Sequence, residues 1–180
     1  MFEDIFPVLE TKRLLLRELK IDDKERVLEF RSNPIIMHFI PRPLAKNEED
    51  AIAHINKIRN GFRNKENINW GIENKETKQL IGIAGFVRTQ ASNFRAEIGY
   101  LLDIKSHGKG YMTESMEAMI KYGFEKMNLH SIEAIVDPEN KASQAVLERS
   151  GFEKDGYFKE NFFHNGKFLD TIHYSLLTNL

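Results

Sequence analysis

At 180 residues, with 41% hydrophobic and 29% charged side chains, the chain has the length and composition of one globular domain with a sizeable core. A net charge of −1 exerts no global pull toward nucleic acid or a membrane surface, so any basic site must be local. The absence of cysteine removes disulfides, thiolate metal sites and a cysteine nucleophile together, and it suits a reducing cytoplasm.

The opening MFEDIFPVLETKR is acidic and lacks the apolar stretch of a signal peptide, and no apolar run is long enough to span a bilayer. Arg13 to Leu19, RLLLREL, reads as a short strand. Asp22 and Asp23 can cap a helix through Val27, Leu28 and Phe30 that ends before Pro34. IMHFIPRP is a proline-marked connector. Asn47 then looks like an N-cap, because Ile52, Ile55, Ile58 and Phe62 recur at helical spacing. Asn67 to Glu73 and Gln79 to Val87 read as two strands of a hairpin around NKETK, a solvated turn. Phe94 to Leu102, FRAEIGYLL, is a third strand of that group.

From Tyr111 to Met127 the residues Met112, Met116, Met119, Ile120, Phe124 and Met127 mark one face of a helix. Those methionines read as core filling. Ile132 to Val136 is a short buried strand, and its neighbours predict a parallel strand–helix–strand crossover. DPENKASQAVLERSGF is a second helix stopped by Gly151. Two closing strands flank HNGK, in which Asn165-Gly166 is a favoured type I′ pair. With no repeat, linker or low-complexity segment, residues 1–180 read as one α/β domain with a mixed sheet.

The junction IKSHGKGYMT, residues 104–113, joins strand to helix through Gly108 and Gly110. Free amides at a helix start, with the positive end of its dipole, bind anions, and glycine lets an anion approach the backbone. Lys105, His107 and Lys109 add local positive charge. The expected guest is a phosphate or pyrophosphate. Neither the P-loop pattern nor the dinucleotide G-x-G-x-x-G is complete here, and a turn that merely connects two elements would explain the glycines equally well.

Two longer blocks, GYLLDIKSHGKGYMTE and NKASQAVLERSGFEKDG, decide the matter by their order and separation. In them the chain resembles the GNAT acetyltransferase superfamily, and within it the RimJ/RimL-type protein N-acetyltransferases. The likeness runs from TKRLLLREL to the last hairpin. The family's pyrophosphate turn, [QR]-x-x-G-x-[GA], reads Lys105-Ser106-His107-Gly108-Lys109-Gly110, with lysine in place of glutamine or arginine and histidine at an often aromatic position. The resemblance implies a GNAT-like α/β fold, a central mixed but mostly antiparallel sheet of about seven strands flanked by four helices. It implies acetyl-CoA as co-substrate and no metal. The pyrophosphate would lie on the N–H groups from Gly108 to Thr113, Met112 included. The pantetheine arm would pair with the backbone of Leu101 and Leu102, where the third strand splays from the next parallel one.

Acetyl transfer to an amine needs a base, a proton donor for the thiolate and a polarising N–H. Without cysteine, direct attack in a ternary complex is the simple course. The AEI position of the resemblance makes Glu97 the candidate base, and desolvation inside its strand would raise its pKa. The alternative is an ion pair with Arg95 or another basic residue. The N-x-x-S block makes Ser143 the candidate acid, against a plain helix-capping role. Asn140 would hold the cofactor's amide arm or simply cap the helix. Tyr111 and Tyr157 do not lie where a catalytic tyrosine is expected. Trp70 is either an acceptor-pocket wall or core. His38, His54, His130, His164 and His173 are too scattered for a metal site.

The expected acceptor is a protein N-terminal α-amino group, such as that of a ribosomal protein. A small amine is the alternative: a polyamine, an amino acid or an amine antibiotic, for which Glu3, Asp4, Glu10, Glu48, Glu49 and Asp50 could form an acidic cleft. A non-catalytic CoA-binding module and a partner-binding domain are rivals of another class. No nucleic acid or membrane partner is expected. The cytoplasm and a monomer or homodimer fit the chain.

Overall fold

The computed structural model describes residues 4–178. Its strands form one eight-stranded sheet. The first, β1 (Leu9–Glu10), is a two-residue edge strand outside the sequence expectation. It pairs with β2 (Leu14–Arg17), where Leu14 and Leu16 point into the core. A 3₁₀ turn, Ile21–Asp23, leads into α1 (Lys24–Ser32). Asp23 occupies the N-cap position but makes no side-chain cap. Its carboxylate instead accepts from the Lys20 N–H at 2.7 Å and from the Arg17 guanidinium at 2.9 Å.

α2 (Glu48–Arg63) starts as expected, with Asn47 Oδ1 accepting from the Asp50 N–H at 3.0 Å. Glu48, Glu49 and Asp50 place negative charge at the positive end of its dipole. β3 (Ile68–Asn74) and β4 (Leu80–Gln90) form the predicted hairpin, and β5 (Arg95–Leu102) pairs antiparallel with β4. Val87 is bulged out of that ladder, because Phe86 faces Ile98 while Arg88 already faces Glu97.

α3 (Tyr111–Glu125) crosses over to β6 (Ser131–Val136), the parallel partner of β5. α4 (Lys141–Arg149) ends at Gly151, whose φ of +86° suits only glycine without strain. β7 (Glu153–His164) and β8 (Lys167–Leu177) close the chain, and the order across the sheet is β1-β2-β3-β4-β5-β6-β8-β7. Asn165 and Gly166 both have positive φ, as a type I′ turn requires.

The sheet is covered unequally. On one face Trp70, Phe86, Ile132 and Tyr174 pack with Met116 and Met119 of α3 and Leu147 of α4. On the other, Leu19, Leu80 and Ile83 pack with Val27 and Phe30 of α1 and with Ile55 and Ile58 of α2. Each fully buried side chain of this kind is worth about 1.5–3 kcal/mol. Trp70 is fully buried and donates its indole N–H to the Pro7 carbonyl at 2.8 Å, so it is core and not a pocket wall. Among the described residues no helix covers β6 and β8 on the second face, and there Ile135 and Phe158 are exposed.

The parallel ladder is short. β5 and β6 pair only at Arg95–Ser131, Ala96–Ile132 and Glu97–Glu133. Beyond Glu97 and Glu133 the strands continue to Leu102 and Val136 without pairing to each other, so a wedge opens in the middle of the sheet. Among the described residues no helix is long and apolar enough to cross a membrane.

Candidate active site

The wedge and the glycine turn adjoin, because β5 forms one wall of the first and feeds the second. After Leu102 the Asp103 N–H bonds back to the Ile81 carbonyl at 2.8 Å, and a 3₁₀ turn covers Ile104–Ser106. Arg26 of α1 fastens this point, donating to the Asp103 carboxylate at 2.9 Å and to the Leu80 carbonyl at 3.0 Å. Gly108 and Gly110 then take φ of +72° and +76°. The first bond into α3 runs from the Glu114 N–H to the Gly110 carbonyl at 3.1 Å. The amides of Tyr111, Met112 and Thr113 therefore have no intrahelical acceptor and face out along the dipole. A Cβ built on Gly108 would meet nothing within 4 Å, so space lies open beside that backbone. Lys105, His107 and Lys109 are exposed around it. The cradle fits a pyrophosphate.

Arg13 braces the cradle from outside, and sequence reasoning missed it. Its guanidinium donates to the Lys109 carbonyl at 2.9 Å and to the Glu114 carboxylate at 2.7 Å, and it stacks over the Tyr111 ring at 4.5 Å. Thr11 donates to the same carboxylate at 2.6 Å, and these bonds hold the Glu114 carboxyl below its usual range. The partners are about a hundred residues apart, so no local pattern signals them. His107 Nε2 lies 3.0 Å from the Leu102 carbonyl, so a pantetheine arm pairing with Leu101 and Leu102 must share or displace that contact.

Glu97 sits on the last paired rung of the wedge, and its side chain is 16% exposed. The alternative partner Arg95 is taken by Glu133, with which it forms a close ion pair. Glu97 instead faces Arg88, whose guanidinium is 3.5 Å from Oε2, an ion pair without a hydrogen bond. Its Oε2 is buried and unbonded. Burial raises the Glu97 pKa most; Arg88 opposes the shift and Glu133 adds to it.

Ser143 and Asn140 are close but play different parts. Asn140 caps α4, its Oδ1 accepting from the Ser143 N–H at 3.0 Å. That bond makes Asn140 the cap of α4 and leaves its amide NH2 and a second lone pair for the cofactor's amide arm. The Ser143 hydroxyl is 2.8 Å from the Tyr100 hydroxyl. Burial pushes the Tyr100 phenol up to about 12, partly offset by Ser143, so it stays protonated and able to donate. Tyr100 was legible only as a strand residue. Tyr157, by contrast, bonds Asp170 on the exposed hairpin, and Tyr111 accepts from Asn74.

Side chains alternate along β5, which separates these groups. Ala96, Ile98 and Tyr100 belong with the core under α3, whereas Leu101 packs toward α1 and α2. Glu97 shares the face of Leu101, so the carboxylate and the hydroxyl pair lie on opposite sides of the sheet, across the wedge. Among the described residues no group of acidic residues and histidines is placed to hold a metal.

A family profile described as an acetyltransferase (GNAT) domain matches residues 13–153. The uncharacterized N-acetyltransferase YoaA of Bacillus subtilis (strain 168) is 34% identical over 96% of this chain and 98% of its own. The ribosomal protein uS5-alanine N-acetyltransferase of Escherichia coli (strain K12) is 36% identical over 61% of this chain and 57% of its own. A crystal structure of a GNAT-family acetyltransferase from Bacillus anthracis superposes with a TM-score of 0.86 at 31% identity, covering 95% of this chain and 98% of that one. RimL, a ribosomal L7/L12 α-N-protein acetyltransferase solved with coenzyme A, shares the fold at 19% identity, with a TM-score of 0.87 over 96% of this chain and 99% of its own.

Proposed function

The chain belongs to the GNAT acetyltransferases, which draw the acetyl group from acetyl-CoA, and on that premise we propose that residues 1–180 act as one domain acetylating the N-terminal α-amino group of a protein. The observation that carries this is the pairing across the wedge. An unbonded buried carboxylate, Glu97, lies on one side and a hydroxyl pair, Ser143–Tyr100, on the other. Acetyl-CoA supplies an activated acetyl thioester.

The chain's own groups then divide the work. The amides from Gly108 to Thr113, with Lys105, His107 and Lys109, hold the pyrophosphate, and the backbone at Leu101 and Leu102 guides the arm. Glu97 Oε2 takes the proton of the incoming amine as the nitrogen–carbon bond forms. Ser143, hydrogen-bonded to Tyr100, gives a proton to the sulfur as the carbon–sulfur bond breaks. An α-amino group, with pKa about 7.7–8.0, sheds its proton to a carboxylate far more readily than lysine near 10.4. Glu97 functions ionised, so activity rises with pH through a pKa displaced upward from the usual carboxylate range.

Two supports bear on the acceptor. The E. coli relative is named for acetylating an alanine N-terminus of a ribosomal protein. Most of the acidic residues offered for a polyamine cleft are engaged elsewhere: Glu10 by Lys75, Glu48 by Lys24, Asp4 by Lys65, and Asp50 by the Lys46 N–H, while Glu49 stands in the first turn of α2. Glu3 lies outside the described residues. The test is a thiol-release assay with acetyl-CoA on peptides beginning with alanine, serine or methionine and on spermidine, with mass spectrometry of the products. Acetylated peptide N-termini are expected. Turnover on spermidine with none on any peptide would overturn the reading.

A further inference from the structure

Arg13 stands just before β2, and its carbonyl accepts from the Lys75 N–H at 2.9 Å, which ties its backbone to the turn after β3. From that anchor its guanidinium reaches the glycine turn and the first turn of α3 together. Nη1 donates to the Lys109 carbonyl at 2.9 Å, and Nε donates to Glu114 Oε2 at 2.7 Å. Its plane covers the Tyr111 ring. Nη2 lies on the side where a Cβ of Gly110 would stand, 3.5 Å from it.

The first contact orients an amide. The Lys109–Gly110 peptide is trans, and a planar trans peptide points its C=O and N–H in opposite directions. Holding the Lys109 carbonyl toward Arg13 therefore turns the Gly110 N–H away from it. Among the described residues that N–H meets no acceptor, and Gly110, the N-cap of α3, has no side chain to cap the helix. The second contact concerns charge. Glu114 lies in the first turn of α3, where a carboxylate suits the helix dipole but repels another anion at the same end. Its side chain is only 16% exposed, and it accepts from Thr11, from the Arg13 N–H at 2.8 Å and from the Arg13 guanidinium. The guanidinium supplies the compensating charge.

We propose that Arg13 is a positioning residue for the diphosphate of acetyl-CoA: by holding the Lys109 carbonyl it aims the Gly110 N–H at the anion, and by engaging Glu114 it frees the first turn of α3 to take negative charge. The inference concerns the donor side and holds whichever amine is the acceptor.

The test is calorimetry of CoA binding to the full chain, which needs no acceptor. Arg13→Met keeps an alkyl stem and removes both effects; it should weaken CoA about tenfold or more. Arg13→Lys should recover part of that loss, because an ammonium can meet Glu114 but does not hold the carbonyl in the same fork. Adding Glu114→Gln to Arg13→Met should also recover part, because the unopposed carboxylate is gone. In turnover the loss should fall on the KM for acetyl-CoA, with kcat at saturating donor retained. CoA affinity unchanged in Arg13→Met, whatever its melting temperature, would overturn the proposal. Further loss of affinity in the double variant would overturn the role given to Glu114. An enzyme that binds CoA as expected yet acetylates no peptide would instead overturn the N-terminal reading and leave the role of Arg13 standing.

Discussion

Arg17 and Glu97 are both largely buried charged residues on strands of one sheet, and their surroundings are opposite. Arg17 is fully answered: its guanidinium meets Asp23 at 2.9 Å and Glu73 at 2.6 Å and also donates to the Glu18 carbonyl at 3.0 Å. The network ties β2, the turn before α1 and β3 together, and it raises the Arg17 pKa while lowering that of Asp23. Glu97 has only the loose approach of Arg88, and burial drives its pKa the other way. A satisfied network fixes the chain on itself, whereas an unsatisfied carboxylate at an opening is kept for something the chain does not contain.

The comparison can be broken by exchanging the roles. Glu97→Gln should lower turnover about 10²–10⁴-fold, the usual contribution of a positioned base, measured as kcat with saturating acetyl-CoA. It should not lower stability at neutral pH. The raised pKa means that the folded state binds more protons than the unfolded one between the ordinary carboxylate value and the folded value, so ionised Glu97 costs stability above that window. A melting temperature below wild type at pH 7 would contradict this.

Arg17→Met should behave inversely, losing about 3 kcal/mol in denaturant unfolding because Asp23 and Glu73 are left without their cation. The folded fraction should keep its turnover. Loss of activity without loss of stability would place Arg17 in the site. Ser143→Ala should lower turnover roughly tenfold, less than the base, because water can replace a hydroxyl donor, while the thermal shift given by CoA persists. The smallest effect is expected from Gly108→Ala. Its positive φ costs about 1 kcal/mol in alanine, and the methyl enters the space beside the cradle, so acetyl-CoA affinity should fall severalfold in calorimetry.

The elements were legible because most of their signals are local. Asn47 caps where expected, Gly151 stops α4, and Asn165-Gly166 turns the last hairpin. Asp23 misled because the Arg17 guanidinium, six residues earlier, and the Lys20 N–H outcompeted the helix end for its carboxylate. The glycine cradle, Glu97 and Ser143 were singled out through motifs, and the fold places them around the wedge. Tyr100 and Arg13 were not singled out, because each matters through a partner far along the chain. Tyr100 meets Ser143 across 43 residues, and Arg13 meets Glu114 across 101. Alternation places a side chain on a face but does not say which strand stands beside it.

The most direct measurement is the pH dependence of kcat for acetylation of the alanine peptide by wild type and Glu97→Gln under saturating acetyl-CoA. The wild-type profile should fall on the acid side through a pKa above the usual carboxylate range, and that limb should vanish in the variant. Superimposable profiles would contradict the assignment of the unbonded carboxylate at the wedge as the base.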